Sequence, residues 1–281
     1  MILLSSAQDE NRVGWIQFLP TYFFFCIIEH MKNALMYAVN YDSENHKYVD
    51  QMVNSINSFY ANNSEKLLKT MHVYIMVDDV SAPFDLSKMN PDVRCTLVDE
   101  LSYDYKPIKM LLKRITHHTY FRWEMFVNPL FKNVDNMVYI DCDTEVVAPV
   151  DELFHNGKSP TVGLAEEKFN HLWLNHGFIT NHYYNCGVMA TNPKVMISSG
   201  IGKKLIDASF ETANRLLLRY ADQDAMNMTL NKPEFKDIVH VMGAEYNSFP
   251  GTWPAEDPPD NEKIVHHAGS SKRKAYELNY I

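Results

Sequence analysis

At 281 residues with 46% hydrophobic side chains, the chain is long enough to bury one sizeable core, and its length predicts a single α/β domain. Charged residues make up 22% and the formal net charge is −9, which excludes the basic surface that nonspecific nucleic-acid binding needs. The four cysteines, Cys26, Cys95, Cys142 and Cys186, have neither close pairing nor the density of a disulfide scaffold, so zinc ribbons and redox motifs are unsupported and a reducing compartment fits.

Residues 1–30 read differently from the rest. The run from Trp15 to Ile28 is strongly apolar, yet it contains Gln17 and Pro20 and is shorter than the roughly 20 residues of a membrane-spanning helix. Asp9 and Glu10 near Arg12, with no small-residue cleavage site, match a signal peptide poorly. Two readings stay open: a packed or interfacial segment, or a leader preceding a start at Met31. The expected organisation is therefore an apolar extension over 1–30 and a catalytic domain over 31–281, with a cytoplasmic or membrane-peripheral location.

Ala34 to Val39 is an apolar run ending in Asn40-Tyr41-Asp42, as a buried strand feeding a loop would. Val49, Met52, Val53, Ile56, Phe59 and Tyr60 then recur at three- and four-residue spacing, which predicts a helix with one apolar face, stopped by Asn62-Asn63-Ser64. Met71 to Val77 and Val93 to Val98 read as further strands. The aromatic-rich stretch from Thr119 has helical character up to the break at Pro129. A compact strand, Asn136 to Ile140, runs into Asp141-Cys142-Asp143. Beyond it, residues 169–184 form a long connector rich in aromatic, His and Asn residues. His171, Trp173, His176 and His182 there read as packing aromatics or as an acceptor-facing loop. A strand over Cys186 to Ala190 follows, then helical patterns over Gly202 to Tyr220 and Asp222 to Leu230. Ile238 to Met242 is a strand leading to a Pro- and Trp-containing loop at 249–259, and Lys263 to His266 a last short one. Strands alternating with helices predict a mixed, mainly parallel sheet flanked by helices.

In such sheets ligands bind at the carboxyl ends of strands, where Asp141 and Asp143 emerge. Two carboxylates separated by one residue offer oxygen ligands to Mg²⁺ or Mn²⁺ and leave coordination positions for a diphosphate. Haloacid dehalogenase-like phosphotransferases share the Asp-x-Asp pattern, with one carboxylate as nucleophile. Their pattern wants Thr or Val where this chain has Glu145, and places the motif after the opening strand rather than mid-chain.

Six motifs in order resemble glycosyltransferase family 8, over about residues 34 to 274. They are Tyr37-Ala-Val-Asn-Tyr-Asp42; Thr119-Tyr-Phe-Arg122; Val134 to Asp143 continuing into Val150-Asp-Glu-Leu-Phe154; Tyr184-Asn-Cys-Gly-Val-Met189; Tyr220 to Asn227 with its Asp-Gln-Asp; and Ile264-Val-His-His-Ala-Gly-Ser-Ser-Lys272. The resemblance implies the Rossmann-like GT-A fold and a retaining, metal-dependent transfer of a hexosyl group from a UDP-sugar, UDP-glucose or UDP-galactose, to a glycan, lipid-linked glycan, protein or inositol. Asp141, Asp143 and His266 would hold Mn²⁺ or Mg²⁺. The His-x-x-Gly-x-x-Lys spacing selects His266 over His267. Asn40, Tyr41, Asp42, Asp141, Cys142, Gly269 and Lys272 would contact the nucleotide, with Tyr41 stacking on the uracil. Asp222, Gln223, Arg122 and Asn185 would form the catalytic group, although Arg122 and Asp222 also read as an ion pair supporting the site. Because Gln223 is a poor nucleophile, a front-face substitution is expected, with the acceptor attacking on the side from which UDP departs. A competing reading keeps the fold and loses turnover, leaving a glycan-binding module.

Overall fold

The computed structural model describes residues 2–4, 32–41, 47–112, 115–155, 157, 159–167, 182–249 and 260–267. Their strands are β1 (Ile2–Leu4), β2 (Asn33–Ala38), β3 (Met71–Met76), β4 (Cys95–Val98), β5 (Asn136–Ile140), β6 (Thr144–Val146), β7 (Val162–Glu166), β8 (Tyr184–Thr191), β9 (Val239–Met242) and β10 (Ile264–His266). The α-helices are α1 (Lys47–Asn62), α2 (Glu65–Leu68), α3 (Pro193–Ser198), α4 (Ile201–Arg215) and α5 (Ala221–Leu230).

Eight strands form one sheet in the order β1-β4-β3-β2-β5-β8-β7-β9, and β10 pairs with β6 in a separate ribbon. β2, β3, β4 and β5 run parallel, β7 is parallel to β9, and β8 is antiparallel to both β5 and β7. From β2 the chain first builds outward through β3 and β4, then returns to add β5 on the other side. The strand order therefore reverses between β2 and β5, which opens a crevice at their carboxyl ends.

Side chains of β2 alternate between the two faces of the sheet, because successive residues of a strand point opposite ways. Leu35, Tyr37 and Val39 join one core with Val49, Met52, Ile56 and Phe59 of α1. Ala34 and Met36 join the other, formed with residues 120–126 and with α3, α4 and α5. Ile56 and Phe59 are 0% exposed, and each contributes on the order of 1.5–3 kcal/mol by burial.

Several elements differ from the sequence-based expectations. Residues 117–126 and 129–131 form 3₁₀ turns rather than an α-helix. All nine residues from His118 to Phe126 except Thr119 are buried, so no polar face exists to give a 3.6-residue rhythm. Glu124, 0% exposed, anchors this segment by accepting bonds from the Ser102 amide, Tyr105 Oη and Asn128 Nδ2. The helix expected to end at Tyr220 ends at Arg215. Ser64, read as part of a helix stop, also accepts a bond from the Leu67 amide and so starts α2. β6, β7 and α3 were not expected. Residues 2–4 add an antiparallel edge strand to β4, and 5–31 lie outside the described residues. Among the described residues no helix is long and apolar enough to cross a membrane.

Candidate metal and donor site

β5 delivers Asp141 to the crevice, and the β6–β10 ribbon delivers His266. In that ribbon His266 is opposite Thr144, which places its ring beside Asp143. A line of buried hydroxyls fixes the turn between β5 and β6: Tyr37 to Ser55 at 3.0 Å, Ser55 to Thr144 at 2.8 Å, and Thr144 Oγ1 donating to the Asp141 carbonyl at 2.8 Å. The result is a compact group of ligand atoms from Asp141, Asp143 and His266, all within 4.8 Å of one another. His266 Nε2 is 3.6 Å from Asp141 Oδ2 and 3.3 Å from Asp143 Oδ1.

The two oxygens of Asp141 have different surroundings. Oδ1 accepts from Tyr139 Oη at 2.6 Å and pairs with Arg122 Nη2 at 3.0 Å, while Oδ2 faces the imidazole. Arg122 is held over the Tyr139 ring at 4.8 Å, its Nε donates to the Thr119 carbonyl at 2.8 Å, and its Nη1 donates to the Cys186 carbonyl. Its Nε is also 3.1 Å from Asp222 Oδ2. Asp222 is 3% exposed, and burial outweighs the attraction of Arg122, pushing its carboxyl up to about 6.

The tautomer of His266 follows from a chain of bonds that begins at a backbone amide, which can only donate. Gly187 N–H donates to Asn185 Oδ1 at 2.7 Å, so the oxygen of that amide is there. Asn247 Nδ2 donates to the same oxygen at 2.9 Å, which turns Asn247 Oδ1 toward His266 Nδ1 at 2.9 Å. His266 therefore donates its Nδ1 proton to Asn247, which leaves Nε2, the nitrogen facing the carboxylates, as the one available to a cation. One imidazole nitrogen and two carboxylates, with the outer nitrogen anchored, form a donor set suited to Mn²⁺ or Mg²⁺. The residues present thus fit a divalent cation.

Asn185, 8% exposed, also lies 3.4 Å through Nδ2 from Glu167 Oε2. Gln223 donates to the same oxygen at 3.1 Å and to Tyr183 Oη at 3.0 Å, while its Oε1 accepts from the Cys186 amide at 3.2 Å. Tyr183 Oη donates to Asp224 Oδ1 at 2.7 Å. Asn185, Gln223 and Glu167 therefore meet beside the Asp141, Asp143 and His266 cluster, and Asp222 reaches it through Arg122. Sequence reasoning had not assigned Glu167, Asn247 or Tyr139 a role. Only Tyr139 sits within a quoted motif.

Of the residues expected at the nucleotide, Asn40 and Tyr41 are half-buried at the end of β2, with the Tyr41 ring edge-on to Phe84 at 5.1 Å. Cys142 belongs to the α1-side core, and its thiol donates to the Ala38 carbonyl at 3.3 Å. His267 is directed elsewhere than His266, with Nε2 3.6 Å from Glu145 Oε2. Asp42, Gly269 and Lys272 lie outside the described residues, as do His171, Trp173 and His176. His182 is half-exposed, bonded to Glu166 at 2.8 Å and stacked on Tyr184.

Comparison with known proteins adds three findings. The family model for glycosyl transferase family 8 matches residues 41–273. General stress protein A of Bacillus subtilis (strain 168) is 30% identical over 171 residues, which cover 56% of this chain and 59% of that protein. The aligned stretch thus spans less than two thirds of that relative. Among solved structures, the galactosyltransferase LgtC, in complex with donor and acceptor sugar analogs, is similar at a TM-score of 0.62 and 15% identity, covering 86% of this chain and 94% of that one. Mouse xyloside xylosyltransferase 1 is similar at a TM-score of 0.57 and 14% identity, covering 85% and 97%. At such identities the likeness speaks to the fold, and the fold is the GT-A arrangement expected from the sequence.

Proposed function

The chain belongs to glycosyl transferase family 8, and from that premise we propose that it is a divalent-cation-dependent, retaining hexosyltransferase using a UDP-sugar, with UDP-glucose or UDP-galactose favoured. The acceptor class is a glycan, lipid-linked glycan, protein or inositol. The observation that carries the reading is the convergence of Asp141 Oδ2, Asp143 and His266 Nε2 at the strand-order reversal. A cation held there would bind the diphosphate and offset the charge of departing UDP.

This chain's own side chains do the rest. Arg122 and Tyr139 hold Asp141 by one oxygen and so leave the other directed to where a cation would be held. Asn40 and Tyr41 lie at the end of the strand next to β5, where the base and ribose would sit. Gln223, pinned by the Cys186 amide and by Glu167, is placed to orient the hexose, and the neighbouring Glu167 carboxylate would stabilise positive charge developing at the anomeric carbon. Asp222, buried against Arg122, acts through the guanidinium and not as a nucleophile. In the phosphotransferase alternative Asp141 would attack through the oxygen not given to the cation, whereas that oxygen, Oδ1, is held by Arg122 and Tyr139.

UDP release from UDP-glucose and UDP-galactose, with Mn²⁺ and without acceptor, tests the reading. Metal-dependent release that falls at least about 100-fold in Asp143→Ala, with the fold retained by circular dichroism, is expected. No release from either donor, together with tight binding of a sugar polymer, would point to the glycan-binding module. Unchanged release in the variant would sink the assigned metal site.

A further inference from the structure

A second group of ligating side chains lies outside the donor site: Asp78, two residues past the end of β3, and the adjacent pair His117–His118 that opens the 3₁₀ turn. Each histidine presents Nε2 to the same carboxylate. His117 Nε2 is 3.1 Å from Asp78 Oδ1 and 3.2 Å from Oδ2, and His118 Nε2 abuts Oδ2. The two rings stack with centroids 4.3 Å apart, which carries both nitrogens to one side.

His118 has a buried side chain, and its Nε2 has no hydrogen-bond partner of acceptable geometry despite its closeness to the carboxylate. Its other nitrogen, Nδ1, is 2.9 Å from Thr116 Oγ1. With Nδ1 anchored on that hydroxyl, as Asn247 anchors His266, Nε2 is the nitrogen turned to the cluster and available to a cation.

We propose that Asp78, His117 and His118 form a second divalent-cation site, of zinc-binding character and separate from the donor site. Two imidazoles and one carboxylate form a donor set typical of zinc centres that keep a fourth position for water. The Asp78 and His117 side chains are 33% and 26% exposed, so water can reach that position. The bound ion would tie the end of β3 to the turn that carries Arg122, four residues beyond His118. Through that tie it would steady the guanidinium that holds Asp141 and Asp222.

The test uses the untagged full chain, stripped with a chelator and titrated with Zn²⁺ by calorimetry and with Co²⁺ by visible absorption. Asp143→Ala serves as the background, so that the donor site does not contribute. One tight equivalent and a tetrahedral Co²⁺ spectrum are expected there, and both should be lost when either His117→Ala or Asp78→Asn is added. Zinc should also raise the melting temperature of the background protein and leave that of the double variants unmoved. Zinc binding that persists in either double variant, or that is already absent in Asp143→Ala alone, would overturn the proposal and leave a cluster held by hydrogen bonds only. Loss of UDP release in Asp143→Ala bears on the donor site alone, so the two readings fail separately.

Discussion

The imidazole of His266 lies so close to the backbone of Gly187 that a Cβ at position 187 would sit 2.2 Å from its Cε1 and 2.6 Å from its Nδ1. β8 cannot yield, because it is paired on both sides, with β5 and with β7. Gly187→Ala should therefore expel the ring and not shift the strand. Affinity for the divalent cation at the donor site should fall at least about 10-fold, with a stability loss of about 1–3 kcal/mol from overpacking. Calorimetric Mn²⁺ titration and urea unfolding measure the two effects. If neither moves, the close approach does not govern the site.

Asn247 is 3% exposed and receives the Nδ1 proton of His266. Replacing it with Ala should raise the apparent Kd for metal about 10–100-fold, as loss of such outer partners does, while kcat at saturating Mn²⁺ changes little. An unaltered metal dependence would show that the ring is oriented by other means.

Arg122 spreads its planar fork over the Thr119 and Cys186 carbonyls, Asp141 and Asp222. Lysine has the charge but a single ammonium, so Arg122→Lys leaves part of this buried set unpaired. We expect about 3 kcal/mol of lost stability, the lower end for breaking a buried pair, together with loss of turnover. A cost below roughly 1 kcal/mol in urea unfolding would contradict the assignment.

His72 in β3 is buried, with Nε2 2.8 Å from Thr96 Oγ1, and burial, aided by Arg94, lowers its pKa to about 3. The unfolded chain, with an ordinary value near 6.5, binds that proton first as pH falls. Stability from this residue is thus fully present above about pH 6.5 and declines toward pH 3, by roughly 1.4 kcal/mol per unit. Between pH 7 and pH 5 the wild type should lose about 2 kcal/mol more than His72→Gln, whose unpaired contacts add only a pH-independent offset. Parallel pH dependences in urea unfolding would refute this.

The buried parallel strands were legible because each is a continuous apolar run bounded by polar turn residues, as in Met71–Met76 and Asn136–Ile140. β7 was missed because Val162–Glu166 is short and contains Gly163, and β6 because three residues carry no period. The 3₁₀ segment was misread because its residues are buried on nearly every side, which leaves composition without a rhythm to distinguish the two helix types. His117 and His118 escaped notice for a related reason: adjacent histidines have no ligand spacing until Asp78, 39 residues earlier, is folded against them.

The amino-acid sequence by itself determined the alternation of strands and helices, the placing of two carboxylates at a strand end, and the order of motifs that selects His266. What only the tertiary structure decided is how that histidine presents itself. Its proton is positioned by Asn247, 19 residues away, whose amide is turned by Asn185, whose oxygen is in turn claimed by the Gly187 amide. Such a chain leaves no trace in local pattern, because hydrogen-bond direction depends on which groups meet in space and not on how far apart they stand in the chain.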